Sequence, residues 1–197
     1  VDYEFFMQHS GGKGKKRVKK PEEELEIGLA VLMKTGKYKE AIQRVRPYIL
    51  EDNPSLEWSE KFYQLLQMAG EKEKAANYSV KHFEVLVDNN KKKKAAEFFP
   101  TVSASPAGPP SPESVFKTAS WLEELNQPKK ALAAYGYFTK HFKKHHLAPS
   151  VYFQLAKILH EEAGNSEKAK QILNGIIRTF PKHELTPGAA KYLKAMC

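Results

Sequence analysis

The sequence predicts an all-α fold, a solenoid of nine or ten antiparallel helices, on three observations. Apolar residues recur at three- and four-residue spacing, and nowhere alternate at period two for long enough to demand a strand. Stops made of Gly, Asn and Pro interrupt that periodicity at regular intervals. Four of the stops also share one ruler. Gly36, Gly70, Asn126 and Gly164 are each followed five residues later by an alanine: Ala41, Ala75, Ala131 and Ala169. The small residue falls early in each following helix, where that helix must approach its partner closely.

Each helix has its own apolar stripe. Leu25, Leu29 and Leu32 form the first, which ends at Thr35-Gly36. Ile42, Val45 and Ile49 form the second, which ends at Asp52-Asn53-Pro54. Phe62, Leu65, Leu66 and Ala69 run up to Gly70. Tyr78, His82, Val85 and Leu86 follow, with His82 read as a hydrogen-bonded core histidine. A short helical stretch, Lys92–Phe99, comes next. Pro100–Pro112 holds five prolines in thirteen residues and is expected to be a non-helical surface spacer, because proline lacks the amide donor and clashes inside a helix. Helical stripes resume at Val115, Ala119, Leu122 and Leu125, and then at Leu132, Tyr135, Phe138 and Phe142. The next are Tyr152, Leu155, Ala156 and Leu159, followed by Ala169, Ile172, Leu173, Ile176 and Ile177. A last short stripe, Ala189, Tyr192, Leu193 and Met196, is expected to cap the stack as a helix over Gly188–Cys197.

The turn anchors lie 34, 56 and 38 residues apart. Residues 22–54 carry Leu32-Met33-Lys34-Thr35-Gly36, then Tyr38, Ala41, Ile42 and Tyr48, closed by Asn53-Pro54. Ser150–Pro181 carries Leu155-Ala156, Gly164, Ala169 and Phe180-Pro181. These segments resemble the tetratricopeptide repeat family, whose period is 34 residues. The resemblance spans about residues 22–196. It departs at Ser79 and His82, which stand where large apolar residues are expected, and at Asn126, which stands for Gly. Residues 180–193, FPKHELTPGAAKYL, look like repeats of bacterial membrane-attached and envelope proteins of this family.

The resemblance implies a superhelical groove, lined mainly by the first helix of each repeat, that binds a peptide or helix of a partner protein. Glu23, Glu26 and Met33 would line it in the first repeat, and Glu57, Glu60, Gln64 and Gln67 in the second. Phe116 and Glu123 follow in the third, and Phe153, Lys157 and His160 in the fourth. Read this way, the groove is acidic in its first three repeats while the outer surface is basic.

Composition bounds the alternatives. Hydrophobic residues are 41% and charged residues 28%, a globular balance. No apolar run approaches the roughly 20 residues that span a bilayer. Val1 opens the sequence without a signal peptide, and a fragment or a processed product is the expectation. The single cysteine, Cys197, excludes an intrachain disulfide framework.

Net charge is +9. Residues 1–20 form a basic arm, with Lys13, Lys15, Lys16, Arg17, Lys19 and Lys20 expected to face an anionic membrane surface; residues 21–197 form one repeat domain. That places the chain in the cytoplasm at a membrane's inner face, with the periplasm as the alternative. A nucleic-acid partner, held through the arm, Lys91–Lys94 and Lys140–His146, is the second reading. An acidic groove disfavours it, because phosphates are repelled there.

No phosphate loop, HExxH, CxxC or GxSxG motif is present. A non-catalytic scaffold without cofactor or metal is therefore the expectation. His141 and His145 have i,i+4 spacing but no evident third ligand. Trp58 is expected to be half-buried packing rather than a groove platform.

Overall fold

The computed structural model describes residues 21–50 and 54–196, with Pro21–Glu23 as backbone only. The arm cations Lys13, Lys15, Lys16, Arg17, Lys19 and Lys20 lie outside the described residues, as do Asp52, Asn53 and Cys197. Among the described residues there are ten α-helices and no strand. They are α1 Pro21–Lys34, α2 Tyr38–Ile49, α3 Leu56–Met68, α4 Lys72–Asp88, α5 Lys92–Ser103, α6 Pro112–Glu124, α7 Pro128–His141, α8 Ala148–Glu161, α9 Ser166–Thr179 and α10 Thr186–Ala195.

The ruler is physical. Gly36, Gly70, Asn126 and Gly164 all adopt positive φ, between 55° and 73°. At each of the first three the helix closes the same way: Lys37 N–H donates to Leu32 O (2.8 Å), Glu71 N–H to Leu66 O (2.9 Å), and Gln127 N–H to Leu122 O (2.8 Å). These bonds satisfy carbonyls that the helix end would otherwise leave unpaired. A fifth turn follows the same rule and extends the expectation. Asn90 has φ 53°, Lys91 N–H donates to Leu86 O (2.9 Å), and the alanine five residues on is Ala95. Ala41, Ala95, Ala131 and Ala169 have no exposed surface. The lysine run after Asn90 hides this turn in the sequence.

Successive helices are antiparallel neighbours, so odd-numbered helices form one layer and even-numbered helices the other. Contacts within each layer confirm this. In the odd layer Lys61 on α3 reaches Glu26 on α1 (3.1 Å), Lys94 on α5 reaches Glu60 on α3 (2.5 Å), and the rings of Phe99 on α5 and Tyr137 on α7 are 5.6 Å apart. In the even layer Lys81 on α4 donates to Ile49 O of α2 (3.0 Å) and Lys117 on α6 to Val87 O of α4 (3.3 Å). Tyr192 on α10 donates to Glu161 on α8 (2.6 Å).

Helix α5 changes the parity of the array. Tight turns join α1–α2, α3–α4, α4–α5, α6–α7 and α8–α9, so α4 closes one hairpin and opens the next. It is buried through Phe83, Val85, Leu86 and Val87 as well as Ala75, Ser79 and His82. The two polar residues that interrupt its repeat pattern sit in a helix that must serve two hairpins.

The proline segment needs correction. Only residues 104–111 lie between helices; Pro100 sits in the last turn of α5 and Pro112 opens α6. Pro100 forfeits one intrahelical bond, but the turn it joins buries Val102 completely. Nor is the connection a free spacer. Ser105 Oγ donates to Ala76 O (2.8 Å), and Glu84 accepts the Ser111 N–H (2.6 Å) and the Ser111 and Ser114 hydroxyls. A carboxylate so placed also complements the positive end of α6.

Candidate functional site

The outer stripe of α3 carries the exposed Glu57, Gln64 and Gln67 and the half-buried Glu60 and Lys61, opposite the side that buries Phe62, Leu65 and Leu66. Glu57 and Glu60 are not free acids. Lys61 bridges Glu57 (2.6 Å) and Glu26 (3.1 Å), and Lys94 pairs with Glu60. The hydrogen bond from Lys61, then its charge, holds the Glu57 carboxyl below the ordinary range. Burial works to lower the Lys61 pKa, but its bonds to Glu57 and Glu26 override that and raise it. The expected acidic lining is therefore largely compensated by lysines the groove expectation left out. Lys61 also lies 4.7 Å over the Trp58 ring, which stacks on Tyr48 at 4.6 Å. Trp58 is half-buried packing, as expected.

The remaining positions divide. Met33 is partly buried against the first core cluster, and Gln64 and Gln67 are exposed. Glu23 lies in the first turn of α1, its side chain outside the described set. Phe116 packs against the central cluster, and Glu123 accepts the Tyr135 hydroxyl. Burial and then Glu123 raise the Tyr135 pKa. Phe153 and His160 lie 5.9 and 6.1 Å from the Tyr192 ring, and His160 Nδ1 is 2.9 Å from Ser166 Oγ. Burial, then the Glu161 carboxylate, pushes the Tyr192 phenol up to about 12.

These residues do not share one groove. Glu26, Met33, Glu57, Glu60, Gln64 and Gln67 belong to α1 and α3, in the odd layer. Phe116, Glu123, Phe153, Lys157 and His160 belong to α6 and α8, in the even layer. Extrapolating one first-helix face across all repeats fails at α5, the odd helix between them.

Two constellations have chemical potential. Ser59 Oγ lies 2.9 Å from His82 Nδ1, the spacing of a nucleophile and its base. Ser59 is fully buried, though, and accepts the Tyr78 hydroxyl (3.1 Å), so its oxygen is a packing link that no substrate reaches. Glu113, His145 and His146 bring three potential ligand atoms within 4.8 Å of one another. Here the His145 Nδ1 accepts the Leu147 N–H (3.4 Å), which puts its proton on Nε2, 3.3 Å from Glu113. A metal on Nε2 needs the opposite tautomer. The His183 Nδ1 likewise accepts the Leu185 N–H (3.2 Å) in a duplicate turn, Phe-x-x-His-x-Leu-x-Pro at 142–149 and 180–187. That bond belongs to the turn, and the donor set as arranged does not fit a metal.

Residues 150–183, which span α8, the Gly164 turn and α9, match the family model described as Tetratricopeptide repeat. The chain carries a tetratricopeptide repeat. None of the curated proteins matches it. Among solved structures it is similar to one described as YrrB, a TPR protein with an unusual peptide-binding site. The identity is 15% over 83% of this chain and 88% of that one, with a TM-score of 0.43. It is also similar to pilF of Pseudomonas aeruginosa, at 14% identity over 87% and 89%, with a TM-score of 0.35. Within the matched repeat, Ala156 and Ala169 hold the close helix contact, and Leu173 and Ile176 complete its core.

Proposed function

We propose that the protein is a non-catalytic interaction scaffold that binds extended or helical segments of partner proteins on the exposed stripes of its repeat helices. The observation that carries this reading is the two-layered repeat array itself, whose exposed side chains are ordered by contacts between helices rather than converged on a reacting centre. The odd layer offers Glu57, Lys61, Gln64 and Gln67; the even layer offers Phe116, Phe153, Lys157 and Tyr192. The basic arm, Lys13–Lys20, adds attraction to an anionic surface, and a membrane's cytoplasmic face supplies one.

Selection from a phage-displayed random peptide library against the full chain tests the reading. Enriched peptides should lose binding, by tenfold or more, to Gln64→Ala/Gln67→Ala or to Phe153→Ala/Lys157→Ala. Failure to enrich any peptide overturns it. Duplex DNA binding with a steep negative salt dependence would favour the nucleic-acid alternative instead.

A further inference from the structure

We propose that His82 is an acid-operated latch at the seam of α3, α4 and α5, and that protonation of its ring loosens α5 from α3. The ring sits where these three helices meet. It stacks on Tyr63 of α3, with centroids 5.0 Å apart and planes 7° from parallel, and meets Phe98 of α5 at right angles with centroids 5.1 Å apart. Tyr63 and Phe98 also touch each other, edge to face at 5.0 Å, so one aromatic triad joins the three helices. The relay from Tyr78 through Ser59 ends on His82 Nδ1. Because the Ser59 oxygen already accepts from Tyr78, its own proton goes to the bare imidazole nitrogen.

A second proton on the ring removes that acceptor and buries a charge. The ionisable groups facing the ring supply no free counter-ion. Glu60 of α3 is bound to Lys94 of α5, whose charge repels an imidazolium, and Tyr63 and Tyr78 are neutral phenols raised further by burial. Burial lowers the His82 pKa to about 4; Glu60 pulls against this and Lys94 adds to it. With α5 moved off α3, water reaches the ring and its pKa rises towards the ordinary 6.5. The open form therefore gains on the closed one as pH falls from 6.5 towards 4, by at most about 100-fold between pH 7 and pH 4.

The latch predicts a local change with secondary structure intact. Nitroxides at Gln64 on α3 and Glu97 on α5, both exposed positions, report the distance by pulsed electron resonance. In the otherwise unaltered chain the distribution should broaden and lengthen at pH 4 relative to pH 7 while far-ultraviolet dichroism stays constant. His82→Gln, which keeps an acceptor for Ser59 but does not titrate, should abolish the response. An unchanged distribution at pH 4, or the same broadening in His82→Gln, overturns the proposal. Should His82→Gln not fold, nuclear magnetic resonance titration of the native chain decides: Tyr63 and Phe98 ring resonances that move together with a His82 midpoint below 6.5 support the latch, and a midpoint near 6.5 or unmoved Tyr63 and Phe98 resonances overturn it.

Discussion

Gly70 sits at φ 69°, and a Cβ built on it meets nothing within 4 Å. The cost of a side chain there is purely that of the left-handed backbone, so Gly70→Ala should lose about 1–2 kcal/mol of stability. Asn126 holds the same conformation, and Asn126→Gly should be neutral or slightly stabilising because glycine carries no such penalty. Urea midpoints at unchanged slope would measure both. His82 acts through protons instead. Its folded-state pKa, about 4, lies below the ordinary 6.5. The unfolded chain thus binds the extra proton first, and the contribution is complete above pH 6.5 and lost as pH falls towards 4. Roughly 3 kcal/mol is at stake. Melting temperatures should show a steeper decline between pH 7 and pH 4.5 for the native chain than for His82→Phe.

Among elements, the close helix contacts make the sharpest demand. Ala41 and Ala169 have no exposed surface, so leucine at either should overpack the hairpin and cost about 1–3 kcal/mol by chemical denaturation. Glu84 binds the start of α6 to α4, and Glu84→Ala strands the Ser111 amide; a loss of about 1–3 kcal/mol is expected, with hydrogen exchange faster in residues 104–114 than in α8. Tight turns were legible because each needs a glycine or asparagine at one position and an alanine five residues later, a local requirement. The Asn90 turn obeys the same rule, yet four lysines follow it and read as surface charge. Two of them, Lys92 and Lys94, are partners for Glu124 and Glu60, more than thirty residues away. Pairings across that separation leave no periodic trace, so the stripes of the site were visible while the neutralisation of its acids was not.

For the whole molecule, the basic arm gives a test independent of the repeats. Deleting residues 1–20 should leave the melting temperature nearly unchanged and abolish co-sedimentation with anionic vesicles. Salt should also release the intact chain, since such attraction is screened beyond about 10 Å at 0.1 M. Equal sedimentation of both chains would remove the membrane from the account. The other consequence at this scale comes from counting. Two helices separated by an odd number of others share a layer, and two separated by an even number do not. α3 and α6 have α4 and α5 between them, so they face opposite ways however close they lie along the chain. A shortened chain that lacks α5 and its following connection would bring α3 and α6 onto one side while leaving the hairpins α6–α7 and α8–α9 as they are. A single helix of twelve residues thus decides whether the molecule has one working side or two.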